Sequence, residues 1–126
     1  MKKFEFEITT KFTVTEEDID DIVCTALEGG INYWACEARV VGEYLGEWGH
    51  EQIARGGKLI IVDAEEDEEY ELTKEKLLHG IKLAIEQEYY KRYSWYYEGK
   101  LDTCQIDAEV ADVIIQLALF DEVVFG

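Results

Sequence analysis

Carboxylates are the reactive groups this chain has in quantity, and they crowd between Asp63 and Glu69 in the run DAEEDEE. Hard cations take oxygen ligands at alternate positions, and Asp63, Glu65 and Asp67 imitate the opening of a calcium loop. The imitation stops there. Its sixth position is Glu68 where the turn needs glycine, and its twelfth is Lys74 where a bidentate acid belongs, so an EF-hand is excluded. Glu47 and His50 match one Glu-x-x-His element of a di-iron bundle, but the second such element is missing. A zinc site would have to combine His50 and His79, the only histidines, with acids from distant parts of the chain. No metal and no other cofactor is expected.

Nucleophilic catalysis has as little to work with. Ser94 is the sole serine, no G-x-S-x-G occurs, and no Cys–His or Ser–His spacing argues for an activated nucleophile. Gly29-Gly30 and Gly56-Gly57 are isolated pairs without the lysine and threonine of a phosphate loop. Cys24, Cys36 and Cys104 cannot all pair and none lies in a C-x-x-C spacing, which reads as reduced thiols. The expectation is a protein that binds and does not catalyse, with no catalytic residue to name.

Three groups of residues are candidates for binding. The first is the acidic run itself, Glu65, Glu66, Asp67, Glu68 and Glu69. If the backbone there is extended, Glu65, Asp67 and Glu69 repeat at about 6.6 Å, close to two ~3.4 Å phosphate steps of a DNA strand. A basic nucleic-acid groove on another protein would accept such a face as a decoy. The competing reading is ordinary solvated charge. The second group, Glu28, Asn32, Tyr33, Trp34 and Arg55, offers polar and stacking side chains to a small nucleotide-like signalling molecule. The third is the segment 88–100, EYYKRYSWYYEGK, where Tyr89, Tyr93, Trp95, Tyr96 and Tyr97 could stack on bases with Lys91 and Arg92 on their phosphates. Its plainer reading is that these rings cover the core.

The charge balance weighs on all three. Twenty-nine acids against twelve bases leave a net charge of −17 over 126 residues. Duplex DNA, RNA and anionic membranes are repelled over about a Debye length, roughly 8 Å at physiological salt. A basic protein surface is attracted. Self-association into a homo-oligomer is compatible with the composition. No apolar run approaches the ~18 residues of a membrane span, and the opening MKKFEFE breaks into charge too early for a signal peptide. The expected compartment is therefore the cytoplasm.

The elements that must position these residues follow from periodicity. From Lys3 to Val14 apolar and polar residues alternate, which predicts a long strand with one wet face. Thr15 with Asp18 forms a capping box opening a helix whose stripe is Ile19, Ile22, Val23, Ala26 and Leu27, ended by Gly29-Gly30. Residues 38–45 read as an interrupted strand and 48–55 as a short helix. Lys58–Val62 and Glu68–Leu72 read as a hairpin across a five-residue acidic turn. Thr73 caps a second helix with Leu77, Leu78, Ile81, Ala84 and Ile85 inward, and Gly80 inside it marks a close neighbour. Asp107 caps a third helix, and Glu122–Phe125 reads as a short closing strand. The order predicts one α+β domain over 1–126, a mostly antiparallel sheet of four or five strands with about three helices packed on one face.

The words CTALEGGINYW (24–34), VVGEYLGEWGHEQIARGG (40–57), ELTKEKLLHGI (71–81) and IDAEVADVIIQLALFDEVVFG (106–126) resemble those of small acidic hypothetical proteins carried by phages and conjugative elements of gut Firmicutes. The resemblance covers nearly the whole chain outside residues 82–105 and implies genomic company, since accessory genes of mobile elements often counter host defence. Joined to the charge, it implies a bacterial host cell and a non-enzymatic anti-defence protein, anti-CRISPR-like. Such a protein would block a basic nucleic-acid-binding effector with residues 65–69. The alternatives are the nucleotide-sequestering pocket and an interaction or structural accessory with no role in defence.

Overall fold

The computed structural model describes residues 2–7, 11–89 and 94–126. Helix α1 (Glu16–Thr25) opens on the expected capping box: the Asp18 N–H donates to the Thr15 hydroxyl and the Thr15 N–H to the Asp18 carboxylate, both at 3.0 Å. Its inward stripe, Ile19, Ile22 and Val23, is buried. The helix then widens into a π turn over Ala26–Gly30, closed by the Ile31 N–H on the Ala26 carbonyl at 3.0 Å. Gly30 permits this ending, because a Cβ there would stand 2.8 Å from the Ala108 carbonyl oxygen.

Strand β1 (Ala35–Val40) pairs antiparallel with β2 (Leu59–Asp63), which pairs antiparallel with β3 (Glu69–Leu72). Ala38, Ile61 and Tyr70 stand in register across the three, and a bulge interrupts β1 between Ala35 and Glu37. The β2–β3 connection is the acidic turn, as the sequence predicts. Helix α2 (Lys74–Glu86) is capped by Thr73. A short hairpin follows, β4 (Tyr96–Tyr97) with β5 (Lys100–Leu101), and then helix α3 (Ala108–Phe120), capped by Asp107. Gly80 of α2 lies against α3 so closely that a Cβ would meet the Ile114 carbonyl oxygen at 2.5 Å. The core joins Ile22, Ile31, Leu59, Ile61, Leu72, Leu77, Ile81, Trp95 and Ile114.

Among the described residues the architecture is α+β with three helices and small antiparallel sheets. The single sheet of four or five strands is not what the described residues form: they form a three-stranded sheet and a separate two-stranded hairpin. Residues 3–7 and 11–14 contain no strand, only one bridge between Thr13 and Lys100, and positions 8–10 of the predicted strand lie outside the described residues. Alternation suits a pleated surface but does not supply the neighbouring strand that must complete it. At the other end, 122–125 is irregular because a side chain takes its backbone donors: the Val124 and Phe125 N–H groups donate to Gln116 Oε1 at 2.8 and 2.7 Å. The helix expected over 48–55 is a 3-10 turn, Gly49–Glu51, followed by turns. Among the described residues no helix is long and apolar enough to cross a membrane.

Candidate interaction site

The acidic turn is built on Asp63, which is 3% exposed at the end of β2. One of its oxygens, Oδ1, accepts the Glu65 and Glu66 N–H groups at 2.7 and 3.1 Å, and its carbonyl accepts the Asp67 N–H at 3.0 Å. Asp67 turns the chain back with φ +56°, a conformation aspartate tolerates better than most residues. The Asp63 N–H closes the loop on the Glu68 carbonyl at 2.9 Å. A buried carboxylate thus ties the turn from inside while Glu65, Glu66, Asp67, Glu68 and Glu69 all point to solvent.

This geometry alters the spacing. Ala64–Glu66 is a turn, so Glu65, Asp67 and Glu69 do not form the extended row with a phosphate-like repeat. They form a compact knob instead. Arg39 of β1 pairs with Glu69 and with Glu37, whereas Glu65, Glu66 and Asp67 have no ion pair among the described residues. The Tyr70 hydroxyl donates to Glu68 at 2.9 Å, and its ring meets Phe120 edge-on at 4.8 Å, which leans the hairpin on the end of α3. Desolvation, then the Glu68 carboxylate, pushes the Tyr70 phenol up to about 12. Asp63, Glu66 and Glu68 each place an oxygen within 4.8 Å of the others. The chain's own N–H and O–H donors already serve Asp63 and Glu68, so the trio carries no metal assignment.

The residues offered to a small ligand go to different tasks. Tyr33 and Trp34 converge on Asp112 of α3: the phenol donates to Oδ2 at 2.5 Å and the indole N–H to Oδ1 at 2.8 Å. Gln116 donates to the same Oδ1 at 2.9 Å and to the Phe125 carbonyl at 3.1 Å. The Trp34 ring stacks on Phe125 at 4.7 Å with an interplanar angle of 2°. Burial first, then the Asp112 carboxylate, pushes the Tyr33 phenol up to about 12. Arg55 instead holds α1 against the 3-10 turn, within 3.5 Å of Glu16, 3.4 Å of Asp20 and 3.3 Å of Glu51. Desolvation still raises the Asp20 carboxyl, outweighing Arg55. Glu28 is exposed beside Cys24, whose thiol is pushed up by burial and then by that carboxylate. Asn32 is exposed at a groove with Leu27, Ile31 and Ala35.

In the aromatic segment Trp95 is buried in the core, Tyr89 and Tyr96 pack against it, and Tyr97 is exposed. Lys91, Arg92 and Tyr93 lie outside the described residues. Three buried polar residues that brace the fold escaped the sequence reading: Asp112, Gln116 and Gln52. The buried Gln52 amide organises the 41–48 loop, accepting the Leu45 N–H at 3.0 Å and donating to the Glu43 carbonyl at 2.9 Å. Tyr44, Leu45 and Trp48 are thereby held out in solvent.

Fold and site together define a small acidic α+β protein that exposes a braced anionic hairpin. No protein-family model, curated protein or solved structure matches the chain.

Proposed function

We propose that this chain is a non-enzymatic docking protein that seats its acidic hairpin on the basic, nucleic-acid-binding surface of another protein and so competes with the nucleic acid there. One observation carries the reading: residues 65–69 are all exposed on a turn fixed from beneath by the buried Asp63. Fixing that many like charges in a small volume costs repulsion, which a solvated loop would relieve by loosening. A basic groove relieves it by binding, with a fast, salt-dependent association. The knob offers charge density rather than a measured phosphate spacing, so it suits a concave lysine- and arginine-lined surface. The resemblance to proteins of phages and conjugative elements makes an effector of host defence, such as an RNA-guided nuclease, the natural partner, and the bacterial cytoplasm the place.

The test is inhibition of DNA cleavage by purified RNA-guided nucleases, with the variant Glu65→Lys, Glu66→Lys, Asp67→Lys, Glu68→Lys, Glu69→Lys beside the native chain. The native chain inhibits at least one, its affinity falls steeply with salt, and the reversed variant folds but does not inhibit. Inhibition that survives the reversal overturns the reading, as does failure against every basic effector tried.

A further inference from the structure

A strand without a sheet and a sheet edge without a strand occur in the same molecule. Residues 2–7 carry the period-2 pattern, yet form no strand, and Phe4 and Phe6 are 87% and 82% exposed. β1 pairs with β2 on one side, and among the described residues no strand pairs with its other side. Unpaired N–H and C=O groups along such an edge are a template for an added strand. Beside it, between the π turn and β1, runs a groove of about 300 Å³ whose apolar lining is Leu27, Ile31, Ala35 and Ala38.

We infer that residues 3–7 of a second copy add to the outer edge of β1 and lay Phe4 and Phe6 over this groove, the exchange being reciprocal in a twofold dimer. Alternate residues of a strand share a face, so both rings reach the groove together while Lys3, Glu5 and Glu7 stay wet. Residues 2–7 carry no net charge, with Lys2 and Lys3 offset by Glu5 and Glu7, so in a chain of net charge −17 this segment meets less repulsion from a second acidic copy than the rest does. The root of the arm is held away from its own groove. The Thr13 N–H is tied to the Gly99 carbonyl at 2.7 Å, and Phe12 and Val14 border Leu78 and His79 of α2. Leu27 lies about 18 Å further along α1 from Thr15 by helical rise. A self-complementary exchange satisfies both edges at once and leaves no arm over. It adds the missing fourth strand from outside the chain.

Sedimentation equilibrium and cysteine cross-linking test this together. The native chain sediments at twice its 14.6 kDa mass, and more salt tightens the dimer by screening the repulsion between two acidic bodies, the opposite sign to hairpin docking. Phe4→Asp with Phe6→Asp weakens dimerisation at least about 100-fold, since four rings lose their cover, and leaves the monomer's thermal unfolding unchanged. With Cys24→Ser and Cys104→Ser in place, single cysteines at 3–7 oxidise onto the native Cys36 of β1 as disulfide-linked dimers. A native chain that stays monomeric at all concentrations overturns the proposal. So does a dimer indifferent to the phenylalanine changes, a cross-link that forms within one chain, or the absence of any cross-link.

Discussion

Trp34 gives its indole proton to Asp112: Nε1 stands 2.8 Å from Oδ1, and both residues are buried. The bond joins the entry of β1 to the middle of α3 across 78 positions of sequence. Tyr33 and Gln116 complete the set around the same carboxylate, and Gln116 passes the connection on to the backbone of residues 124 and 125. The polar groups of Tyr33 and Trp34, two of the residues offered to a small ligand, are therefore spent on holding the sheet, the last helix and the tail together.

Asp112→Ala should cost about 3 kcal/mol of stability, because it strands the Trp34 and Gln116 donors in the interior as well as deleting their charged acceptor. Chemical denaturation measures it. A loss below about 1 kcal/mol would mean that water reaches the site and replaces the carboxylate.

The same carboxylate shapes the alkaline limit. Tyr33 and Tyr70 both have phenols pushed up from 10.0 to about 12. Between those values the unfolded chain has released protons that the folded chain still holds, so the contribution of these two phenols to folding stability is whole below pH 10 and is lost as pH climbs through about 12. Stability followed from pH 9 to 12 should fall, and Tyr33→Phe together with Tyr70→Phe should flatten that fall. An unchanged slope in the double variant would assign alkaline unfolding to general repulsion instead.

What the sequence revealed was local. The Thr15–Asp18 box, the five-residue hairpin connection and the close neighbour of Gly80 each depend on residues a few positions apart, and each stands where the spacing put it. Spacing does not mark Asp112 as a buried acceptor, because Tyr33 and Trp34 come from 79 and 78 positions away, and Gln116 is marked no better, because its tail partners lie past the end of its own helix. The extended acidic row failed for a related reason: Asp63 captures the Glu65 and Glu66 N–H groups, and a side chain that competes for backbone donors bends what the spacing would leave straight. The N-terminal alternation was legible as a strand but not as one lacking a partner, since pairing is decided by other elements.

Gly80→Ala separates propensity from packing. Alanine would improve the isolated helix by about 1 kcal/mol, but its Cβ would fall 2.5 Å from the Ile114 carbonyl oxygen and 2.8 Å from the Ala118 nitrogen, both rigid backbone. Overpacking should win, with a net loss of about 2 kcal/mol and an unchanged denaturant slope. A stabilised variant would show that α2 and α3 slide apart freely.

Asp63→Ala tests whether the hairpin must be rigid as well as acidic. The substitution leaves Glu65, Glu66, Asp67, Glu68 and Glu69 untouched, so the anionic knob keeps its charge, but it removes the oxygen that holds the Glu65 and Glu66 N–H groups. Stability should fall by about 1–2 kcal/mol, and hydrogen exchange at those two amides should accelerate while the β2–β3 ladder stays protected. If docking needs the charges pre-positioned, affinity for the basic partner should drop roughly 10-fold through the entropy of re-forming the turn. Affinity that stays native while the amides exchange freely would show that charge density alone is recognised, and that the partner imposes the geometry.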